Sequence, residues 1–112
     1  MNATQWLQAV RVAAQKYFPD AGLHIQILRQ TRVKVRIEIS DDAFVALFFR
    51  EETERVDYAL IVNNERRYGL DNLGGWHEHP VLQPDIHLPV AAPTPEEALF
   101  SVRRAIETLD AR

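Results

Sequence analysis

From Arg32 to Ile39 every second residue is apolar and every other one is charged: Arg32-Val33-Lys34-Val35-Arg36-Ile37-Glu38-Ile39. Side chains of an extended strand point alternately to opposite faces, so this segment reads as a strand with one dry face and one wet face. As a helix, it would scatter its four apolar side chains around the whole circumference. A strand also needs neighbours for its backbone N–H and C=O groups. Leu23-His24-Ile25-Gln26-Ile27 alternates in the same way, and Ala43 to Phe49 is apolar on both faces, as suits a central strand. Arg55 to Val62 is another run, and Asn63-Asn64 is a tight-turn signal leading into Arg66 to Leu70. Short connections imply antiparallel pairing.

Helical spacing frames these strands. Trp6, Leu7, Val10, Ala13, Ala14, Tyr17 and Phe18 share one helix face, Asn2 and Gln5 have the spacing of a capping box, and Pro19, Asp20 and Gly22 end the helix. Near the other end, Thr94-Pro95-Glu96-Glu97 supplies an N-cap, a first-turn proline and an N3 glutamate. The stripe Ala98, Leu99, Val102, Ala105, Ile106 and Leu109 follows. The expectation is a single α+β domain over residues 1–112, an antiparallel β-meander of about five strands flanked by N- and C-terminal helices (α-β-β-β-β-β-α). Both helices should pack on one face of the sheet. The face opposite them should expose Val45, Leu47 and Phe49 or their counterparts, a patch that a homodimer would cover. His24 should be a partly buried side chain.

Composition narrows the chemistry. With no cysteine, disulfides, thiol nucleophiles and thiolate metal sites are excluded. There is neither an apolar run of the ~18 residues a membrane span needs nor a signal-peptide pattern, and the expectation is a cytoplasmic protein without a membrane partner. Residues 1–40 carry six Lys/Arg against two Asp/Glu, while residues 41–112 carry seven against fourteen. The basic pole suits an anion or a nucleic acid. Arg32, Lys34 and Arg36 share one strand face within it, with Glu51, Glu54 or Asp57 as candidate cross-strand partners.

Residues 71–89 are where periodicity stops and chemistry gathers. Asp71-Asn72-Leu73-Gly74-Gly75-Trp76-His77-Glu78-His79-Pro80 and Asp85-Ile86-His87-Leu88-Pro89 hold three of the four histidines. His77, His79 and His87, with Asp71 or Asp85, have the donor types of a metal site, but no His-Glu-x-x-His helix is present. The reading adopted needs no metal and no cofactor. Imidazoles exchange protons near neutral pH, Arg66 or Arg67 would stabilise a phosphorane-like charge, and RNA supplies its own nucleophile in the 2′-hydroxyl. Trp76 beside Gly75 either stacks on a base or closes over the core edge. Asp71-Asn72 suits an Asx-type turn.

The succession Arg66-Arg67-Tyr68, Asp71-Asn72, His79-Pro80 and Pro84-Asp85-Ile86-His87, followed at once by a capped helix, resembles the TumE-like family of small prokaryotic toxin-antitoxin proteins. The family's Tyr-x-Asp-Asn step, His-Pro and later Pro-flanked histidine correspond to Tyr68, Asp71, Asn72, His79, Pro80 and His87. Leu73-Gly74-Gly75-Trp76 is longer than the step usual in that family. The resemblance implies a toxin encoded beside a DNA-binding antitoxin and carries no reaction with it; RNA as the target comes from the histidine and arginine chemistry, with a non-catalytic protein-interaction module as the alternative and a metal-dependent hydrolase as the third choice. The candidate catalytic residues are therefore His79, His87, His77, Asp71 and Arg66. Those for substrate binding are Trp76, Tyr68, Arg67 and Asn72.

Overall fold

A computed structural model describes all 112 residues. Helix α1 spans Ala3–Tyr17 and helix α2 Pro95–Asp110. Between them lie β1 (Gly22–Leu28), β2 (Arg32–Ser40), β3 (Ala43–Arg50), β4 (Arg55–Val62), β5 (Glu65–Asp71), β6 (His77–His79) and β7 (Leu88–Pro89). All pair antiparallel in chain order as one seven-stranded sheet. The α+β meander with terminal helices is the expected one. Its strand number is corrected from about five to seven, because the histidine segment itself adds two short strands to the edge beyond β5.

Local chemistry sets the element ends. Asn2 caps α1 and Thr94 caps α2, each in a complete capping box with the N3 side chain of Gln5 or Glu97. Glu51, in the β3–β4 turn, also accepts a 2.7 Å hydrogen bond from the Ala3 N–H, placing a carboxylate at the positive end of α1. The two-residue turn between β4 and β5 requires a left-handed backbone at both positions, and Asn63 and Asn64 adopt it with φ of 51° and 65°.

Both helices lie on one face. Trp6, Val10, Leu99 and Val102 pack there against Val33, Val35, Ile37, Val45, Leu47, Phe49, Tyr58 and Leu60. Side chains this deeply buried contribute about 1.5–3 kcal/mol each. Trp6 stacks on Phe49 with ring centroids 5.2 Å apart, and its indole N–H donates to the Tyr58 hydroxyl. Val45, Leu47 and Phe49 thus belong to the core, and their counterparts Phe44, Ala46 and Phe48 occupy the helix-free face, half-buried. His24 is corrected too, since its side chain is 70% exposed on edge strand β1.

Register organises the open face into rows across the strands. One runs Arg36, Ala46, Ala59, Gly69, His79 and is small in the middle. Beside it runs Lys34, Phe48, Asp57, Asp71, His77. On the other side Phe44 is opposite Ile61, and Ile61 is opposite Arg66. The basic stripe finds carboxylates other than those expected: Arg36 pairs with Glu38, and Arg32 and Arg50 approach Glu52. Asp57 pairs with Arg55 on its own strand.

Candidate functional site

The site forms where β5, β6 and the segment before β7 meet on the open face. Asp71, last in β5, is opposite His77, and Gly69 is opposite His79. Two successive turns, closed by Gln83 N–H to Pro80 C=O and Ile86 N–H to Gln83 C=O, then return the chain so that β7 pairs with β6. His87, next to Leu88, thereby comes over His79 with ring centroids 4.3 Å apart and edge-on. The His77 ring is 6.0 Å from that of His87.

His79 and Asp71 are the only buried polar residues, 4% and 8% exposed. His79 Nε2 and Asp71 Oδ2 are 2.8 Å apart, and His79 Nδ1 is 3.2 Å from the Pro84 carbonyl oxygen. Asp71 Oδ1 accepts from the Leu73 N–H at 3.0 Å, which closes the expected Asx turn. Burial alone would push the Asp71 carboxyl up; the hydrogen bonds from His79 and Leu73 and the nearby positive charge outweigh it, and its pKa lies below the ordinary 3.8. Directly across the sheet, burial raises the Asp57 carboxyl, opposed by Arg66 and reinforced by Asp71. The two carboxylates are thus driven apart in acidity.

A β-bulge selects the arginine. Leu60 is opposite Tyr68 but Ile61 is opposite Arg66, so Arg67 is the extra residue and Arg66 takes the open-face position. One Arg66 Nη lies 3.4 Å from His79 Nε2. Gly69 makes room for this contact. A Cβ there would meet the Tyr58 carbonyl oxygen at 3.3 Å, His79 Cδ2 at 3.4 Å and Arg66 Cδ at 3.5 Å.

Five of the expected residues, Asp71, His77, His79, His87 and Arg66, are therefore brought together, and four are not. Tyr68 faces the helices, where its hydroxyl donates to Glu78 at 2.6 Å. Trp76 packs against the core, 6.5 Å from the Tyr58 ring, which favours its closing role over stacking on a base. Asn72 accepts from the Val56 N–H and donates to the Glu54 carbonyl, so both ends of its amide are engaged in tying the loop to β4. Arg67 makes no hydrogen bond to the cluster.

No group of three or more His, Asp or Glu side chains is arranged to hold a metal ion. Access differs sharply within the cluster. Both nitrogens of buried His79 are occupied, whereas His87 is exposed and His77 half-exposed. The groups open to solvent are His87, His77 and Arg66, with His79 and Asp71 buried behind them. No family model, curated protein or solved structure matches the chain. Asp57, read from the sequence only as a candidate partner for the basic stripe, is a further carboxylate beside this cluster, and an aspartate between Val56 and Tyr58 of a strand is itself a signal.

Proposed function

We propose that this chain is the toxin component of a toxin–antitoxin pair, acting in the cytoplasm as a metal-independent ribonuclease. The observation that carries the reading is the buried Asp71–His79 pair with His87 seated edge-on above it and Arg66 beside it. Such a constellation has an accessible imidazole, a fixed support behind it and a cation for developing negative charge.

In the reaction, one of His87 and His77 accepts the proton of an RNA 2′-hydroxyl as that oxygen attacks the adjacent phosphorus. The other protonates the departing 5′-oxygen. The products are a 2′,3′-cyclic phosphate and a 5′-hydroxyl end, and no electrons leave the system. Arg66 stabilises the extra charge on the phosphoryl oxygens at the transition state. His79, held by Asp71 and Pro84, fixes the position of His87.

Induced alone, the wild-type chain should arrest bacterial growth, and RNA incubated with it should accumulate cyclic-phosphate ends. His87→Ala should abolish both with almost no change in melting temperature, since the side chain is exposed. Growth unaffected by wild type, with no cleaved RNA, sinks the reading. A non-catalytic interaction module is then favoured by the half-exposed Phe44, Phe48 and Ile61 on the helix-free face, which a second copy or an antitoxin segment would cover.

A further inference from the structure

The helix-free face holds a trough of about 600 Å³, open to solvent, that runs from β1 across to Arg66. Its floor is low because Ala46 and Ala59 occupy the middle of a cross-strand row, and continuing that row leads through Gly69 to His79. Four strand spacings separate Arg36 from His79, roughly 19 Å. Arg66 lines the trough and touches His79, so one side chain borders both the trough and the histidine cluster.

The walls are aromatic and basic. The Arg36 guanidinium lies 3.6 Å from the Phe44 ring centroid, which makes a stacked plane on one side. On the other side Phe48 stands between the trough and a second depression of about 370 Å³ bordered by Arg50 and Arg55. The Nε–H groups of those two arginines are buried without a hydrogen-bond partner. Lys34, opposite Phe48, has no carboxylate within ion-pair distance. Among the charged residues lining the trough, Lys34, Arg36 and Arg66 stand against Asp57 alone. With Arg36 paired to Glu38 at the edge, Lys34 and Arg66 leave the trough of this acidic protein locally cationic, and it combines flat π surfaces with positive charge at the spacing of a sheet.

We infer that this trough binds single-stranded RNA, with bases stacked on Phe48 and on the Arg36–Phe44 plane and the phosphates held by Lys34 and Arg66. Sheet platforms with exposed aromatics stack two or three bases in this way, and charge complementarity selects a polyanion over an apolar peptide. A duplex hides the faces of its bases and has nothing to stack here. The inference rests on the ribonuclease reading for its choice of RNA, and it gives that reading a route by which a strand is led to His87.

The test uses an oligonucleotide that cannot be cut. A fluorescent single-stranded 2′-O-methyl RNA lacks the nucleophile, so its anisotropy with the full wild-type chain reports binding whether or not the chain is a nuclease. Phe48→Leu keeps the apolar volume but removes the π face, and it should weaken binding about tenfold. Lys34→Gln should reduce the slope of log affinity against log salt by about 0.7, the value for one single-strand phosphate. Phe100→Ala, an exposed aromatic on α2, should change neither. Melting temperatures confirm that each variant is folded. Saturable binding with these losses, weaker for the matching duplex and retained in part by the deoxy strand, supports the inference. It is overturned by absence of binding, by equal affinity for the duplex, by Phe48→Leu and Phe100→Ala behaving alike, or by a wild-type dimer in light scattering that Phe48→Leu dissociates. Growth arrest with no oligonucleotide binding would leave the nuclease reading standing and remove the trough; binding without arrest or cleavage would do the reverse.

Discussion

Asp71→Ala is the substitution whose outcome the geometry constrains most tightly. It deletes the acceptor 2.8 Å from His79 Nε2, in a place where His79 is 4% exposed and the lost partner cannot be replaced by bulk water. Leaving a buried charged or polar donor without its partner costs about 1.5–3 kcal/mol. The Leu73 N–H loses its Asx bond as well, but Leu73 is exposed, which limits that loss to about 0.5 kcal/mol. The total is about 2–3.5 kcal/mol. For a chain of 112 residues this lowers the melting temperature by roughly 8–15 °C. The sign of the pH dependence follows from the depressed Asp71 pKa: the stabilisation is fully present above the ordinary carboxylate value and is lost as pH falls through the lower, folded one. Thermal melts followed by circular dichroism should show a gap between wild type and variant at about pH 5 that narrows below about pH 4. A loss smaller than about 0.5 kcal/mol, within the range of ordinary surface changes, would refute the claim that this pair supports the site. A gap that persists undiminished in acid would refute the claim that Asp71 acts as a carboxylate.

Two further substitutions separate scaffold from chemistry. Asn72→Ala should lower stability by about 1–2 kcal/mol, through its bonds to Val56 and Glu54, while RNA cleavage per folded molecule stays within about twofold; a selective loss of cleavage at full stability would instead make Asn72 a substrate contact. Gly69→Val should press on the His79 ring and the Arg66 stem, because the Tyr58 carbonyl on the third side is backbone and cannot yield; cleavage should fall at least tenfold for about 1–3 kcal/mol of overpacking, and unchanged cleavage would show that Gly69 is not what seats them.

The scaffold was legible where one physical signal dominates. Alternation over Arg32–Ile39 and the two asparagines at 63 and 64 placed strands and a turn correctly, and Thr94-Pro95-Glu96-Glu97 marked the start of α2. Where both faces of a strand are apolar, parity carries no direction. Ala43–Phe49 therefore revealed that something is half-exposed without telling Phe48 from Phe49. The strands at His77–His79 and Leu88–Pro89 are too short to show a period, and their pairing is fixed by the turns at Pro80 and Gln83. The histidines could be named as a cluster, but which of them is buried depends on that pairing. The choice of Arg66 over Arg67 depends on one extra residue in β5, and a bulge leaves no mark in the composition of a strand.

Strand order in the sheet is the order of the chain, and this gives assembly two unequal stages. Each hairpin closes on the one before it at little cost in loop entropy, because the partners are neighbours in sequence. The helices are the exception. α1 and α2 come from opposite ends of the chain and meet each other, with Lys16 and Glu96 2.6 Å apart. During synthesis the sheet is able to zip as it emerges, yet the side of Tyr58, Leu60 and Tyr68 that α2 covers stays wet until those last 16 helical residues arrive. The contact that completes the core is thus translated after the sheet it covers, and the interval between them exposes a nascent chain of this kind to aggregation and to chaperones.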